Sequence, residues 1–433
     1  MVVGAGIFVG NVTGFFRVAA TAYLLGTHAR ADALAVAMGP LDTMNSVVVN
    51  TMIVGFVPML MVAEGDARLA LFRRCARVFG AIMAAVSALI VFLAPWLISV
   101  LGPGLGPVQH DDAVVMLRFM APSTLFAGAS SIYAALLYTE RRFLVPAIYQ
   151  ACLNGATVAI ALGFWKVLGE NGFPIGYVAG GCLQLGLTWW TSRDLRRKPV
   201  AAAKTPLWEI VSKPGMFLLY AGLIASNMIV TRAFATHGGP GMAAAFDYTM
   251  KCVSVLIAYL VYPISNSLLP EIARLRGIGQ APKAYRLIDK SVAWMMAGAV
   301  LSCLAGIALR TEAIALLFER GSFTAESTRL VSGVFLGFAP SIVGWSLLDL
   351  ISRSFFALDR PRLPAIAAFI PVSVNLMVMM ALRATGELGD PAHLGWGASA
   401  GLLAAFAALF AMIHLRKKKD AAVGPERVAA AVS

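Results

Sequence analysis

Long apolar runs separated by short polar loops recur along the whole chain. A helix rises about 1.5 Å per residue, so about 20 apolar residues cross the roughly 30 Å hydrocarbon layer with the backbone N–H groups bonded inside the segment. Twelve such runs are predicted, at about 4–26, 34–62, 76–101, 114–138, 143–165, 172–192, 214–236, 242–268, 288–309, 327–352, 362–384 and 394–415. The pattern predicts an all-α polytopic membrane protein with about 12 transmembrane helices.

Polar positions orient these spans. Of 35 Lys and Arg residues, 25 lie in or beside the loops after even-numbered spans and in the C-terminal tail, against 7 in or beside the odd-numbered loops. Basic residues concentrate on the cytoplasmic side of a membrane protein, so both termini are expected in the cytoplasm. Arg17, Arg118 and Lys251 are left inside spans. With no basic stretch and cleavage site at the N-terminus, the first run is expected to be a retained helix.

The pattern also repeats. "FVPML" with Pro58 in span 2 matches "SLLPEI" with Pro270 in span 8, and "ERRFLVPAI" ahead of span 5 matches "DRPRLPAI" ahead of span 11, at offsets of 212 and 218 residues. Two offsets near half the chain predict two pseudo-symmetric six-helix lobes around a central cavity. On this reading residues 1–200 form an N-terminal lobe (spans 1–6), 201–416 a C-terminal lobe (spans 7–12) and 417–433 a basic, flexible cytoplasmic tail.

Composition narrows the function. The 433 residues are 59% hydrophobic and 13% charged, with a net charge of +13. In a soluble chain that charge would point to nucleic acid; here it sits in loops, where it sets orientation and anchors "RDLRRK" and "RKKKD" to anionic headgroups. Five cysteines are scattered singly, and the five histidines lie at or near loops, so neither a disulfide framework nor a metal site is indicated. No catalytic constellation or nucleotide-binding segment is visible. The expectation is a transporter without cofactor rather than an enzyme.

Chemistry must then come from charges inside spans. An arginine at mid-membrane costs about 2.5 to 3.5 kcal/mol on insertion scales, so Arg17 in "FFRVAATAYLLG" needs a partner. Thr13, Arg17 and Thr21, at i, i+4 and i+8, form one polar stripe flanked by Gly10 and Gly14, suited to a neighbouring helix or a wet cavity. The guanidinium either binds an anion such as a diphosphate or locks the bundle. Lys251 is a second candidate cation, although Asp247 one turn earlier could neutralise it. Arg118 and Arg232, near span ends, can snorkel to an interface or line a cavity rim. Asp42 and Asp349 are embedded acids, able to couple Na⁺ or H⁺ or to pair with Arg17 or another base. Asn11, Asn45, Asn50, Asn154, Asn227, Asn266 and Asn375 suit interhelical bonds or sugar contacts.

Several stretches resemble the MurJ/MviN family, the lipid II flippases of the multidrug/oligosaccharidyl-lipid/polysaccharide exporter superfamily. "LLFERGSFTAEST" (316–328) is similar to a segment between that family's ninth and tenth spans, and "SFFALDRPRLP" (354–364) to the link after the tenth. "FFRVAATAYLLG" with "ADALAVA" (31–37) resembles its first helix and the following loop, aligning Arg17 with a family arginine and Asp32 with the loop aspartate. "FDYTMKCVSVLIAYLVYPISNSLLPEIA" (246–273) resembles its eighth span and sets Lys251 where the family has an arginine. The family's earlier first-helix arginine falls on Asn11, the acid after its second arginine on Val18, and a charged segment of span 2 on "MNSVVVNTMIVG". Two further C-terminal spans usual in the family have no counterpart.

The resemblance implies alternating-access transport of a polyprenyl-diphosphate-linked glycan across the bacterial inner membrane, with Arg17 and Lys251 on the positions of family arginines; Thr13, Asn11 and Arg118 are read beside them as further candidates to contact the substrate. Asp42, Asp349 and Asp247 would pair or bind a coupling Na⁺ or H⁺. Within "FERG", Glu319, Arg320 and Gly321 are read as structural, with Thr324, Glu326 and Ser327 capping span 10. Membrane lipids and cell-envelope synthases are the other expected partners. Two alternatives stay open, a cation-coupled small-molecule exporter of the same superfamily and a transport-inactive scaffold for envelope synthesis.

Overall fold

The computed structural model of the chain describes residues 2–63, 65–196, 207–278, 280–358, 360 and 362–423. The division expected at 200/201, Asp359, and residues 424–433 of the tail lie outside the described residues, as do the side chains of Asn50, Asn266 and Pro270.

The fold is all-α. The helices are α1 (Val2–Leu25), α2 (Ala29–Val62), α3 (Gly65–Leu101), α4 (Pro107–Met120), α5 (Pro122–Thr139), α6 (Leu144–Gly163), the short α7 (Trp165–Leu168), α8 (Gly172–Thr191) and α9 (Leu207–Ala235). They continue with α10 (Met242–Gly277), α11 (Ala281–Ala308), α12 (Arg310–Phe318), α13 (Ala325–Ala357), α14 (Arg362–Ala367), α15 (Phe369–Thr385) and α16 (Trp396–Val423). Each predicted span falls on one long helix or on a broken pair: α4 and α5 meet at Ala121 before Pro122, and α14 and α15 meet at Ala368. Among the described residues, eight segments are long and apolar enough to cross a membrane by length and hydropathy alone. The spans outside that set lie on α2, α8, α9 and α10, which carry Asp42, Tyr177, Arg232, and Asp247 with Lys251.

Helices overrun the apolar runs. α3 starts at Gly65 rather than near 76, and α10 ends at Gly277 rather than near 268. Hydrophobicity marks where lipid begins, whereas the i→i−4 ladder continues into water as long as the residues favour a helix.

The chain forms two compact units. One comprises the described residues of 1–225 together with Arg232–Asp247 and Leu317–Thr328; the other comprises Ser226–Thr231, Tyr248–Leu316 and the described residues from Arg329 onward. In the first, α8 lays a glycine stripe on α6: a methyl at Gly172, Gly176 or Gly180 would come within 3.1, 2.7 and 2.7 Å of the Cα atoms of Ala161, Thr157 and Leu153. Small residues at four-residue spacing let backbones approach where lipid supplies no hydrophobic drive. In the second unit, Gly397 and Gly401 of α16 lie against Asn375 and Pro371 of α15 in the same manner. Asn375 Nδ2 there donates to the Asn227 carbonyl at 3.1 Å, to Asn227 Oδ1 at 2.9 Å and to Thr231 Oγ1 at 2.8 Å, all buried. These asparagines are interhelical glue.

Candidate functional site

Embedded charge gathers at one place in the first unit. Arg17 of α1 faces Asp42 of α2: Nη1 donates to Oδ1 at 2.9 Å and Nη2 to Oδ2 at 2.5 Å, a two-pronged fork. The Tyr177 hydroxyl of α8 donates to the same Oδ1 at 2.9 Å, and its ring lies 5.8 Å from the guanidinium carbon. The arginine side chain is 14% exposed and the aspartate 35%, so the carboxylate is the more accessible partner. Of the two roles open to Arg17, anion ligand or lock of the bundle, the structure shows a carboxylate partner, and that partner is Asp42, an acid expected to pair with Arg17 or another base. The reason is physical: an embedded guanidinium requires counter-charge at hydrogen-bond range, and a carboxylate offers the same paired oxygens as a phosphate.

A second pair lies alongside. Asp247 Oδ1 accepts from Arg232 Nε at 3.1 Å and Nη2 at 2.6 Å, and Arg232 stacks 5.3 Å from the Phe246 ring. Arg232, expected near a span end to snorkel or to line a cavity rim, is 9% exposed. It packs over Gly39 of α2, where any side-chain carbon would strike the guanidinium. Gly39 precedes Asp42 by three residues, so both pairs are organised by one face of α2. The electrostatic fields of Arg17, Asp42 and Asp247 overlap, and two cations with two carboxylates leave the cluster neutral. Asp247 is thus held by Arg232, and Lys251, one turn further along α10, belongs to the second unit.

Other candidates are placed more locally. Thr13 Oγ1 bonds the carbonyls of Val9 and Gly10, and Thr21 Oγ1 that of Arg17, so both hydroxyls serve their own helix. Asn11 is exposed on α1. Arg118 is exposed and donates from Nε to the carbonyl of Val91 at 3.2 Å. That carbonyl is the one Pro95, four residues on, cannot satisfy, so the guanidinium patches the break that proline makes in α3. Asp349 pairs at 2.7 Å with Arg353, one turn on in the same helix.

The odd-loop end of the first unit is stapled by backbone contacts. Asp32 is 5% exposed and accepts from the backbone N–H of Gly241 at 2.5 Å and of Ala244 at 2.9 Å. Helix α10 begins after Gly241, which has no side chain to cap it, so Asp32 caps it from another helix. This residue precedes the apolar span 34–62. Its carboxyl titrates at about 6, pushed up by burial and opposed by those backbone bonds. Gly241 has φ 86° and lies against the Thr27 carbonyl, and Thr27 Oγ1 meets Ser327 Oγ at 2.8 Å. The "FERG" segment completes the staple: Gly321 (φ 62°) sits against Tyr23, Ser322 N–H donates to the Tyr23 carbonyl at 2.8 Å, and Thr328 Oγ1 to Glu319 at 2.6 Å. Thr324 Oγ1 accepts from Ser327 N–H at 3.5 Å, the expected cap of α13.

The family described as "Lipid II flippase MurJ" matches residues 21–431. The chain belongs to that family. Among its relatives, the "Probable lipid II flippase MurJ" of Rhizobium meliloti (strain 1021) is 24% identical over 306 residues, covering 67% of this chain and 56% of the relative. The "Lipid II flippase MurJ" of Burkholderia cenocepacia is 22% identical over 384 residues, covering 84% and 72%. The chain thus spans little more than half the length of the first relative. In fold it is similar to a solved "Lipid II flippase MurJ, inward closed conformation" (TM-score 0.83, 18% identity, 95% of this chain and 87% of the other). It is also similar to a multidrug resistance MATE family transporter of the MOP superfamily facing inward (TM-score 0.76, 10% identity, 94% and 95%). Arg17 and the first helix up to residue 20 lie ahead of the matched region, so Gly39, Asp42, Tyr177, Arg232 and Asp247 are the cluster residues inside it.

Two members of the cluster were not foreseen. Tyr177 reads as an ordinary interfacial or core aromatic, and Gly39 carries no chemistry of its own. The local "YVAGG" run marks α8 as a close-packing helix, which is the one hint that a polar ring there meets another helix.

Proposed function

We propose that the protein is a flippase that moves an undecaprenyl-diphosphate-linked saccharide, lipid II or a related cell-envelope glycan, across the bacterial inner membrane by alternating access. The observation that carries this reading is an embedded guanidinium neutralised by a partly exposed carboxylate in a chain of the MurJ family. Arg–carboxylate and Arg–phosphate pairs share one fork geometry, so a phosphate can take the place of Asp42 on Arg17. Asp42 then keeps the Tyr177 hydroxyl as its donor. Lys251, from the opposite half, supplies the second cation, and lobes 1–200 and 201–416 alternate around the headgroup with both termini cytoplasmic. Exchange of a carboxylate for a phosphate spares the guanidinium any unpaired interval in a low dielectric. Outward opening requires release of the contacts that Asp32, Thr27 and Tyr23 make with Gly241, Ser327 and Ser322. Any anionic excess on the cargo is driven outward by an inside-negative potential, worth about 2.3 kcal/mol per charge per 100 mV.

The test is complementation of a conditional flippase-depleted strain. The wild-type chain should restore growth, Arg17→Ala should not, and rescue surviving Arg17→Ala with Lys251→Ala would remove both residues from the mechanism. A second reading, a cation-coupled small-molecule exporter, is favoured by two carboxylates, Asp42 and Asp247, lying in one cluster. Substrate-dependent Na⁺ or H⁺ movement in proteoliposomes, without binding of a lipid-linked sugar, would select it.

A further inference from the structure

A separate cluster of charge lies in the second unit, where α10 ends and α11 begins. Glu271, Arg274, Leu275, Gln280, Lys283, Arg286, Leu287 and Lys290 line a groove of about 550 Å³. Its one acid is already engaged: Glu271 takes Arg274 in a fork, with Oε2 to Nε at 2.9 Å and Oε1 to Nη2 at 2.6 Å. The remaining cations, Lys283, Arg286 and Lys290, recur at i, i+3 and i+7 and therefore share one face of α11. All three are exposed, and the lining carries three net positive charges. Leu275, buried, and Leu287, half-buried, give the groove an apolar floor.

Depth in the membrane decides what such a groove meets. Trp294, one turn beyond Lys290 on α11, is largely exposed, and the helix from there to Ala308 is apolar. Tryptophan at that junction marks the boundary between headgroups and acyl chains. The three cations therefore sit at headgroup level, on the face of the membrane that carries the chain's Lys and Arg excess.

We propose that the groove between α10 and α11 is a binding site for the phosphate headgroup of an anionic phospholipid, separate from the Arg17 cluster. Charge selects the class: a zwitterionic headgroup brings its own cation and leaves the three side chains uncompensated, while one or two phosphates neutralise them. The apolar floor selects a lipid over a free anion, because Leu275 and Leu287 offer a phosphate alone nothing. The reading does not depend on the cargo proposed above.

Native mass spectrometry of the full-length protein in detergent, titrated with phosphatidylglycerol, diphosphatidylglycerol or phosphatidylcholine, tests it. The anionic lipids should be retained over phosphatidylcholine. Lys283→Gln with Lys290→Gln should weaken them by roughly fivefold for each cation removed, at an unchanged melting temperature, and Lys283→Arg with Lys290→Arg should restore them. Arg286→Gln, read alone, provides a second measurement should the double variant fold poorly. Equal retention of phosphatidylcholine, or anionic binding unchanged in the Gln variants, overturns the site. Displacement of the lipid by inorganic phosphate at equal concentration overturns the assignment to a lipid.

Discussion

Arg17–Asp42 and Arg142–Asp194 have nearly the same geometry. The first closes its fork at 2.5 and 2.9 Å, the second at 2.5 and 3.1 Å. Their surroundings differ: the side chains are 14% and 35% exposed in the embedded pair, and 42% and 51% in the loop pair. In water each partner of the loop pair is solvated when separated, so the bond adds little to folding even though it holds the Asp194 carboxyl below the usual range. Inside a span the guanidinium, only 14% exposed, lacks that alternative. Removal of one leaves a charge that the site cannot solvate. Equal bond lengths therefore imply unequal consequences.

Breaking the embedded pair should show the largest effect. Asp42→Ala strands the guanidinium and should lower stability by about 3 to 5 kcal/mol, read as a fall in melting temperature in detergent. The double variant Arg17→Ala with Asp42→Ala should be less damaged than Asp42→Ala alone, since no charge remains unpaired. A D42A melt that matches the wild type would end the contrast. Gly39→Leu comes next, because its side chain must enter the space of the Arg232 guanidinium; about 1 to 3 kcal/mol is expected, again from thermal melts.

Asp32→Ala should cost about 1 to 2 kcal/mol, the scale of a lost helix cap. This carboxyl also carries a pH dependence. Its folded value of about 6 lies above the ordinary carboxylate value of 3.8, so the fold holds the proton more tightly than the unfolded chain. The resulting stabilisation is complete below about pH 4, declines as pH rises through 6 and is flat above. Melting temperatures between pH 4 and 7 should show that decline, and Asp32→Asn should flatten it. Smallest of all, Asp194→Ala should leave the melt unchanged at any salt concentration.

Legibility in the sequence followed distance along the chain. The Thr324 cap of α13 and the Asp349–Arg353 pair lie three and four residues apart and follow from helical spacing. The embedded partners are separated by 25 residues for Arg17 with Asp42, 135 for Asp42 with Tyr177 and 209 for Asp32 with Gly241. Periodicity gives the face on which each lies but not the helix that face meets. The partner of Arg118 was hidden for a related reason: it is set by Pro95 in another helix, not by the depth of Arg118 in its own.

What the sequence determined by itself is the all-α class, the place of each long helix along the chain and the need for a counter-charge at Arg17, because bilayer thickness and desolvation act on each segment alone. Only the tertiary structure decided that Asp42 supplies that charge, that Arg232 holds Asp247 and that Asp32 caps α10. Those outcomes depend on how helices rotate and how closely they approach, which glycine-lined contacts between helices fix and no single segment encodes.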